Sequence, residues 1–444
     1  MSDQKATMSF LDELRWRGLL YQQTAGEELQ RHLQAKPRVA YCGFDPTADS
    51  LHIGHLLPLK LLAHWQRCGH TPVVVMGGGT GLIGDPSGLD SERRLLGRDR
   101  VEANVASQRQ ILCRVLDFDA SLPNTAVIRN NIEWLEGLKF IEVLRDVGKH
   151  FSVNAMIQKD SVRRRLQERE QGITYTEFSY MILQAYDFLH LHRTADCTVQ
   201  VAGSDQYGNI VAGIDLIRRA YGSSGAPEAG EAYGVTAPLV ARSDGAKMSK
   251  SSGTAIWLSA DTRNRTSPYA FYQYWINLPD ADVVQWLKWY TFISREEIED
   301  LGRRHETRPQ ERIGQRALAR HMTGLLHGDD QLKRVQNASE ALFGSGDVRG
   351  LDELTLSEVV ADVPHSTHDK ALLDRGGLSV VELLVQTSLA SSRRAAREHI
   401  ANRAVSVNGR RLTADCNLTM TDLLHGRTIL LKRGKKHYYA TDWI

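Results

Sequence analysis

Short apolar runs alternate with longer amphipathic stretches through the first two hundred residues. Arg38 to Phe44, Thr71 to Met76, Thr125 to Ile128 and Cys197 to Ala202 read as strands. Leu56 to Cys68, Asp99 to Phe118, Phe140 to Val147 and Thr176 to Leu189 carry helical spacing between them. This alternation predicts a parallel α/β sheet. From about Ser267 the pattern turns helical, with Trp275, Trp286, Trp289 and Tyr290 spaced as core residues. Gly344 to Gly376, which contains Gly, Asp and Pro, reads as a linker or weakly packed connection. After it come a helix and an alternating stretch, Arg427 to Tyr439, whose Gly434 suggests a hairpin. The predicted organisation is a Rossmann-like α/β catalytic domain over 1–260, a helical domain over 261–343, a linker over 344–376 and a small α+β domain over 377–444.

Length supports several domains, since 444 residues exceed what one hydrophobic core usually serves. Five scattered cysteines without a Cys-x-x-Cys pair fit neither a disulfide framework nor a zinc cluster, and imply a reducing, cytoplasmic setting. The polar N-terminus lacks a signal-peptide core, and no apolar run is long enough to span a bilayer, so no membrane role is expected. Charge is uneven. Residues 376–444 carry 11 basic against 5 acidic side chains, a net of +6, within a total of +2. The tail is therefore the polyanion-facing part.

Two motifs carry chemistry. His52-Ile53-Gly54-His55 lies where the first strand gives way to a helix, so two imidazoles would stand beside the exposed N–H groups of a helix N-terminus, which attracts phosphate. Lys247-Met248-Ser249-Lys250-Ser251, bounded by Gly245 and Gly253, spaces two ammonium groups around a polyphosphate. Alone, the first also describes paired structural histidines, and the second a solvated loop. Their order, their separation and the embedding segment Tyr41 to Leu51 select the phosphate reading. Ligands of parallel sheets bind at the carboxyl ends of strands, where Tyr41 to Ser50, Gly77 to Gly88 and Gly203 to Gly208 would lie. Gly77-Gly78-Gly79-Thr80-Gly81 permits close backbone approach but matches no dinucleotide or P-loop pattern.

This signature pair resembles the class I aminoacyl-tRNA synthetases. The segments Tyr41 to His55, Gly81 to Gly88, Tyr180 to Asp187 and Gly203 to Ile210 narrow the resemblance to the bacterial-type tyrosyl-tRNA synthetases. That resemblance implies ATP-dependent attachment of tyrosine to tRNA(Tyr), through a tyrosyl-adenylate and release of pyrophosphate. Mg²⁺ would arrive with ATP, with no resident metal or tightly bound cofactor. It assigns Tyr41 and Asp187 to the phenolic hydroxyl, and Asp85, Tyr180 and Gln184 to the ammonium group. Tyr180, Gln184 and Asp187 share one helical face at i, i+4 and i+7, which supports the grouping independently. Gln200 and Gln206 would orient the substrate. Gly43, Asp45, Gly54 and Asp205 would line the nucleotide side, with Asp205 on the ribose. Thr47 and His52 would meet the γ-phosphate, His55 the nucleotide, and Lys247, Lys250 and Ser251 the departing pyrophosphate. The basic tail resembles the family's RNA-binding module of ribosomal-protein type, with Arg393, Arg394, Arg410, Arg411, Lys432 and Lys435 as candidate phosphate contacts. A homodimer is also implied.

The chain departs from the family pattern in three places. Leu89 and Asp90 follow Gly88 where a lysine is common, leaving Arg93 and Arg94 as nearby cations; Ala202 replaces a common glycine, and Tyr207 a common tryptophan. A tryptophanyl enzyme is disfavoured by Tyr41 and Asp187. A nucleotidylyltransferase would not need the basic tail, and an inactive RNA-binding relative would not need intact His52, His55, Lys247 and Lys250.

Overall fold

A computed structural model describes the chain except for residues 1–8, 86–94, 160–161, 164–165, 167–172, 223–226, 241–254, 344–346, 362, 375 and 435–436. It falls into two units, one formed by Met1–Thr266 with Asn277–Leu326, the other by Ser267–Ile276 with His327–Ile444.

The first unit is built on a six-stranded sheet. Its strands are β1 (Gln22–Gln23), β2 (Val39–Phe44), β3 (Thr71–Met76), β4 (Val127–Asn130), β5 (Cys197–Gly203) and β6 (Tyr233–Ala237), in the order β1-β6-β5-β2-β3-β4. All neighbours are parallel except β1 with β6. Buried on both faces, a central parallel strand is apolar nearly throughout, and Val73, Val74, Val75 and Met76 of β3 are all buried. β2 and β5 lie side by side although their connection runs through β3 and β4, so a crevice opens beyond their carboxyl ends.

Two helices frame this crevice. Ile53–Arg67 begins at the extended residue His52, whose side chain caps it, and contains Pro58. Tyr175–Ala195 is capped by Thr174, whose hydroxyl accepts from the Glu177 amide, and closed by Asp196 in the left-handed region at φ 49°. Phe188, Leu189 and Leu191 of that helix join Tyr41, Val73, Val75 and Ile210 in one core.

The second unit carries a five-stranded sheet. With β7 (His365–His368), β8 (Leu378–Ser379), β9 (Val405–Val407), β10 (Arg410–Arg411), β11 (Asn417–Leu418), β12 (Thr428–Arg433) and β13 (His437–Trp443), its order is β10-β9-β12-β13-β7, and β8 and β11 form a separate pair. The predicted hairpin is β12–β13.

Two expectations on domain limits need correction. Residues 344–376 are not a bare linker, because helix Glu353–Ala361 lies there and β7 pairs in parallel with β13. Leu356 and Val359 of this helix are buried, so its apolar face is used for packing. Nor do residues 261–343 form one helical body. Helix Pro268–Ile276 groups with the second unit, whereas helices Val283–Tyr290 and Arg295–Thr307 belong to the first. Trp275, Trp286 and Tyr290 are core residues, as their spacing predicts, with Trp289 partly buried.

Candidate active site

Tyr41 stands on β2 opposite Gln200 of β5, both nearly free of solvent. Its ring packs against Phe188 at 5.3 Å. Its hydroxyl and the Gln200 Oε1 are buried and lack a hydrogen-bond partner among the described residues. A buried polar atom left unpaired is costly unless a ligand completes it. Burial pushes the Tyr41 hydroxyl well above its ordinary value, and the nearby Asp187 charge pushes it further, so it stays a donor.

Asp187 is also buried. Its two oxygens accept from Asn131 Nδ2 at 2.9 Å and Trp134 Nε1 at 2.7 Å. Burial raises its pKa to about 7 even though these donors favour the charged form.

The other end of the slot is acidic. Tyr180 donates to Asp45 Oδ2 at 2.7 Å, and Thr80 donates to Asp45 Oδ1 at 2.7 Å. Burial raises the Tyr180 pKa far above normal, followed by the charges of Asp45, Asp85 and Asp187. Such a concentration of carboxylates suits an ammonium group. Gln206 donates to Asp85 at 2.7 Å and to Asp205 at 3.1 Å, while Asn209 donates to both Gln184 and Gln206 at 3.1 Å. Burial raises the Asp205 carboxyl above its ordinary range. Asp45, read from the sequence as a nucleotide residue, is thus bonded directly to Tyr180, which was assigned to the amino-acid end.

On the phosphate side the His52 and His55 rings stack at 3.8 Å. His52 Nδ1 accepts from the Gly54 amide at 3.1 Å, and His55 Nδ1 from the His52 amide at 3.4 Å. Both neutral rings therefore carry their proton on Nε2, the donor a phosphate oxygen needs. A side chain at Gly54 would meet His52 Cε1 at 2.9 Å, whereas one at Gly43 would find open space. The Thr47 amide donates to the Asp45 carbonyl at 2.8 Å. Lys247, Lys250 and Ser251, and Leu89, Asp90, Arg93 and Arg94 after Gly88, lie outside the described residues.

The sequence reading missed Thr80, Asn131, Trp134 and Asn209. Asn131 Nδ2 donates to both Thr80 and Asp187, and its Oδ1 accepts from the Gly79 amide at 2.7 Å, so it joins the two ends of the slot. The glycine run is explained by the same crowding, because a Cβ at Gly77 would lie 2.1 Å from Asp45 Oδ1. Asn131 sits just past the end of β4, the one available signal for it.

Of the tail candidates, Arg394, Arg410 and Arg411 are exposed, and Arg393 pairs with Glu382 at 2.9 Å. Lys432 is turned inward, donating to the Leu342 carbonyl at 3.1 Å beside the Tyr438 ring. Its assignment as a free phosphate contact is corrected on that ground. Lys435 lies outside the described residues.

A parallel sheet with a polar slot and paired histidines at its carboxyl edge defines an enzyme of the class I synthetase type. Residues 33–344 match the family model described as tRNA synthetases class I (W and Y), and residues 355–441 match that of the tyrosine–tRNA ligase SYY-like C-terminal domain. The chain is 47% identical over 433 residues to a tyrosine–tRNA ligase of Geobacillus stearothermophilus, covering 97% of this chain and 99% of that one. It is 46% identical over 433 residues to the tyrosine–tRNA ligase of Roseiflexus castenholzii, with 97% and 98% covered. A solved, C-terminally truncated mitochondrial tyrosyl-tRNA synthetase from Aspergillus nidulans matches with a TM-score of 0.67 at 31% identity, covering 76% of this chain and 94% of that chain. The chain belongs to the tyrosine–tRNA ligase family of class I aminoacyl-tRNA synthetases.

Proposed function

We propose that this chain activates tyrosine with ATP and transfers it to the 3′ end of tRNA(Tyr). The observation that carries the reading is the buried Tyr41 hydroxyl, without a hydrogen-bond partner among the described residues and within electrostatic reach of buried Asp187. A phenolic hydroxyl entering there accepts from Tyr41 and donates to Asp187. Asp45, Asp85, Tyr180 and Gln184 hold the ammonium end, and Gln200 and Gln206 orient the carboxylate. That carboxylate attacks the α-phosphorus in line, pyrophosphate leaves, and no covalent bond to the protein forms. Thr47, His52 and His55 stabilise the charge that builds on the β- and γ-phosphates, together with Lys247, Lys250 and Ser251. Gly43, Gly54 and Asp205 take the adenosine. Mg²⁺ enters as the counter-ion of the triphosphate. Transfer to the terminal adenosine then rests mainly on positioning.

Amino-acid-dependent ATP–pyrophosphate exchange across the twenty amino acids tests the reading. Tyrosine alone should support exchange, because phenylalanine leaves the buried Tyr41 hydroxyl without an acceptor and offers Asp187 no donor. Asp187→Ala should abolish it, and normal tyrosine activation by that variant would refute the slot.

We also propose a homodimer. Phe140, Ile141 and Leu144 on helix Phe140–Asp146, with Val153 and Tyr175 beyond it, expose large apolar side chains that a partner surface would cover. Sedimentation at micromolar concentration would show a single monomeric species if this is wrong. We further propose a reducing, cytoplasmic setting, in which free cysteines persist.

A further inference from the structure

The turn that leads into His52 is tied to a segment far along the chain, and one carboxylate accepts three of the six hydrogen bonds that make the tie. Asp49 is 8% exposed. Its Oδ2 accepts from the Arg263 amide at 3.0 Å, and its Oδ1 accepts from the Asn264 amide at 3.1 Å and from Asn264 Nδ2 at 2.5 Å. Arg100 Nη2 stands 3.8 Å from Oδ2. A carboxylate that accepts several N–H bonds makes stronger contacts than neutral acceptors do, and its removal strands every donor at once. Burial alone would raise the Asp49 pKa, but the bonds from Asn264 and Arg263 hold it below the usual range.

The residues between these anchors run alongside the signature turn. Ser259 donates its amide to Ser50 Oγ at 3.1 Å, Leu258 to the Leu51 carbonyl at 2.8 Å, and Ile53 to the Ile256 carbonyl at 3.1 Å. His52 and Trp257 face each other as an isolated antiparallel bridge, with the indole edge-on to the imidazole at 6.0 Å. Thr266 closes the segment on itself, accepting from the Trp257 amide at 2.9 Å and donating its own amide to the Ser259 carbonyl at 3.0 Å. Asp49 therefore holds one end of a short two-stranded clasp whose middle is His52.

We infer that Asp49 is a positioning residue for tyrosine activation, fixing residues 256–264 against residues 50–53 and so setting where the His52 imidazole stands. The inference rests on the reading that His52 acts in adenylate formation. Apart from Asp45, the tyrosine slot is built on elements outside the clasp, among them β2, β5 and helix Tyr175–Ala195, so loss of the clasp should slow the chemistry far more than it weakens tyrosine binding.

The test is single-turnover tyrosyl-adenylate formation alongside equilibrium tyrosine binding in the full-length protein. Asp49→Ala should slow adenylate formation by about 10–100-fold, since a displacement of about 1 Å at a reacting group can cost about 10²-fold. Tyrosine affinity should stay within about twofold. Asn264→Ala should give a smaller loss in the same direction, and the double variant should be no slower than Asp49→Ala, the mark of one shared contact. An adenylate rate within about twofold of the parent overturns the inference, as does a rate loss matched by an equal loss of tyrosine affinity. If Asp49→Ala does not fold, an unchanged rate in Asn264→Ala is sufficient to overturn it. His52→Ala separates the two levels. If it leaves the rate unaltered, the reading of His52 itself fails; if it slows the step while Asp49→Ala does not, only the positioning role falls.

Discussion

At the scale of single residues, burial decides the chemistry of two side chains. Asp187 titrates near pH 7, so part of it is protonated just below neutrality. The protonated acid is a poorer acceptor for a substrate hydroxyl, hence tyrosine affinity should rise as pH climbs from about 6 to about 8. Equilibrium titration measures this, and Asp187→Asn should abolish the slope. Lys60 is fully buried, and its Nζ lies 3.4 Å from the Phe292 ring centroid with no hydrogen-bond partner among the described residues. A desolvated cation over a ring gains about 2 kcal/mol, whereas burying the charge costs several. Burial therefore wins, and the Lys60 pKa falls well below its ordinary 10.5, with Arg17 and Arg67 adding to the effect. The unfolded chain keeps the proton that the folded chain gives up, so the penalty grows as pH falls and fades as pH rises toward 10.5. Lys60→Met should raise the melting temperature, and its advantage over the parent should shrink between about pH 7 and pH 10. Motifs exposed Tyr41, Asp187 and the two histidines to a reader of sequence. Asn131, Trp134 and Asp49 stayed hidden because their meaning lies in partners 51 to 215 positions away.

Among the elements, those whose burial pattern is continuous were legible. β2, β3 and β5 and the helices that follow β2 and β3 carry apolar runs that only a parallel sheet accommodates, and their predicted limits hold to within a few residues, whereas the helix after β5, Tyr207–Gly222, went unread. β6 went unread although Tyr233–Ala237 is wholly buried, because Gly234, Thr236 and the nearby Gly230 mimic a loop. β7 was equally silent. His365–His368 is polar at every position and becomes a strand only because β13 offers a parallel edge, with His368 stacked on buried Trp443 at 4.9 Å. Its dependence on that partner can be measured. A chain ending at Gly376 keeps β7 but loses β13, so limited proteolysis should cut it between 364 and 376, while the full chain resists there. Cleavage of both at equal rates would return this stretch to the status of a linker.

For the molecule as a whole, the candidate tyrosine slot and the excess of basic charge lie in different parts of the chain. Every described residue of the slot precedes residue 210, whereas the net charge of +6 belongs to residues 376–444. Phosphate contacts reveal themselves through salt, since each neutralised phosphate steepens the fall of affinity with ionic strength by close to one unit. Arg394, Arg410 and Arg411 are exposed, so replacing all three with alanine should flatten the salt dependence of tRNA binding by about two to three units. The same variant should weaken tRNA charging and leave tyrosine-dependent pyrophosphate exchange intact. Lys432 supplies the contrast. Its ammonium group is committed to the Leu342 carbonyl, so Lys432→Ala should lower the stability of the second unit without altering the salt slope. An unchanged slope in the triple arginine variant, measured by filter binding across a salt series, would move the RNA contacts to another surface and leave the charge of the tail without a role in recognition.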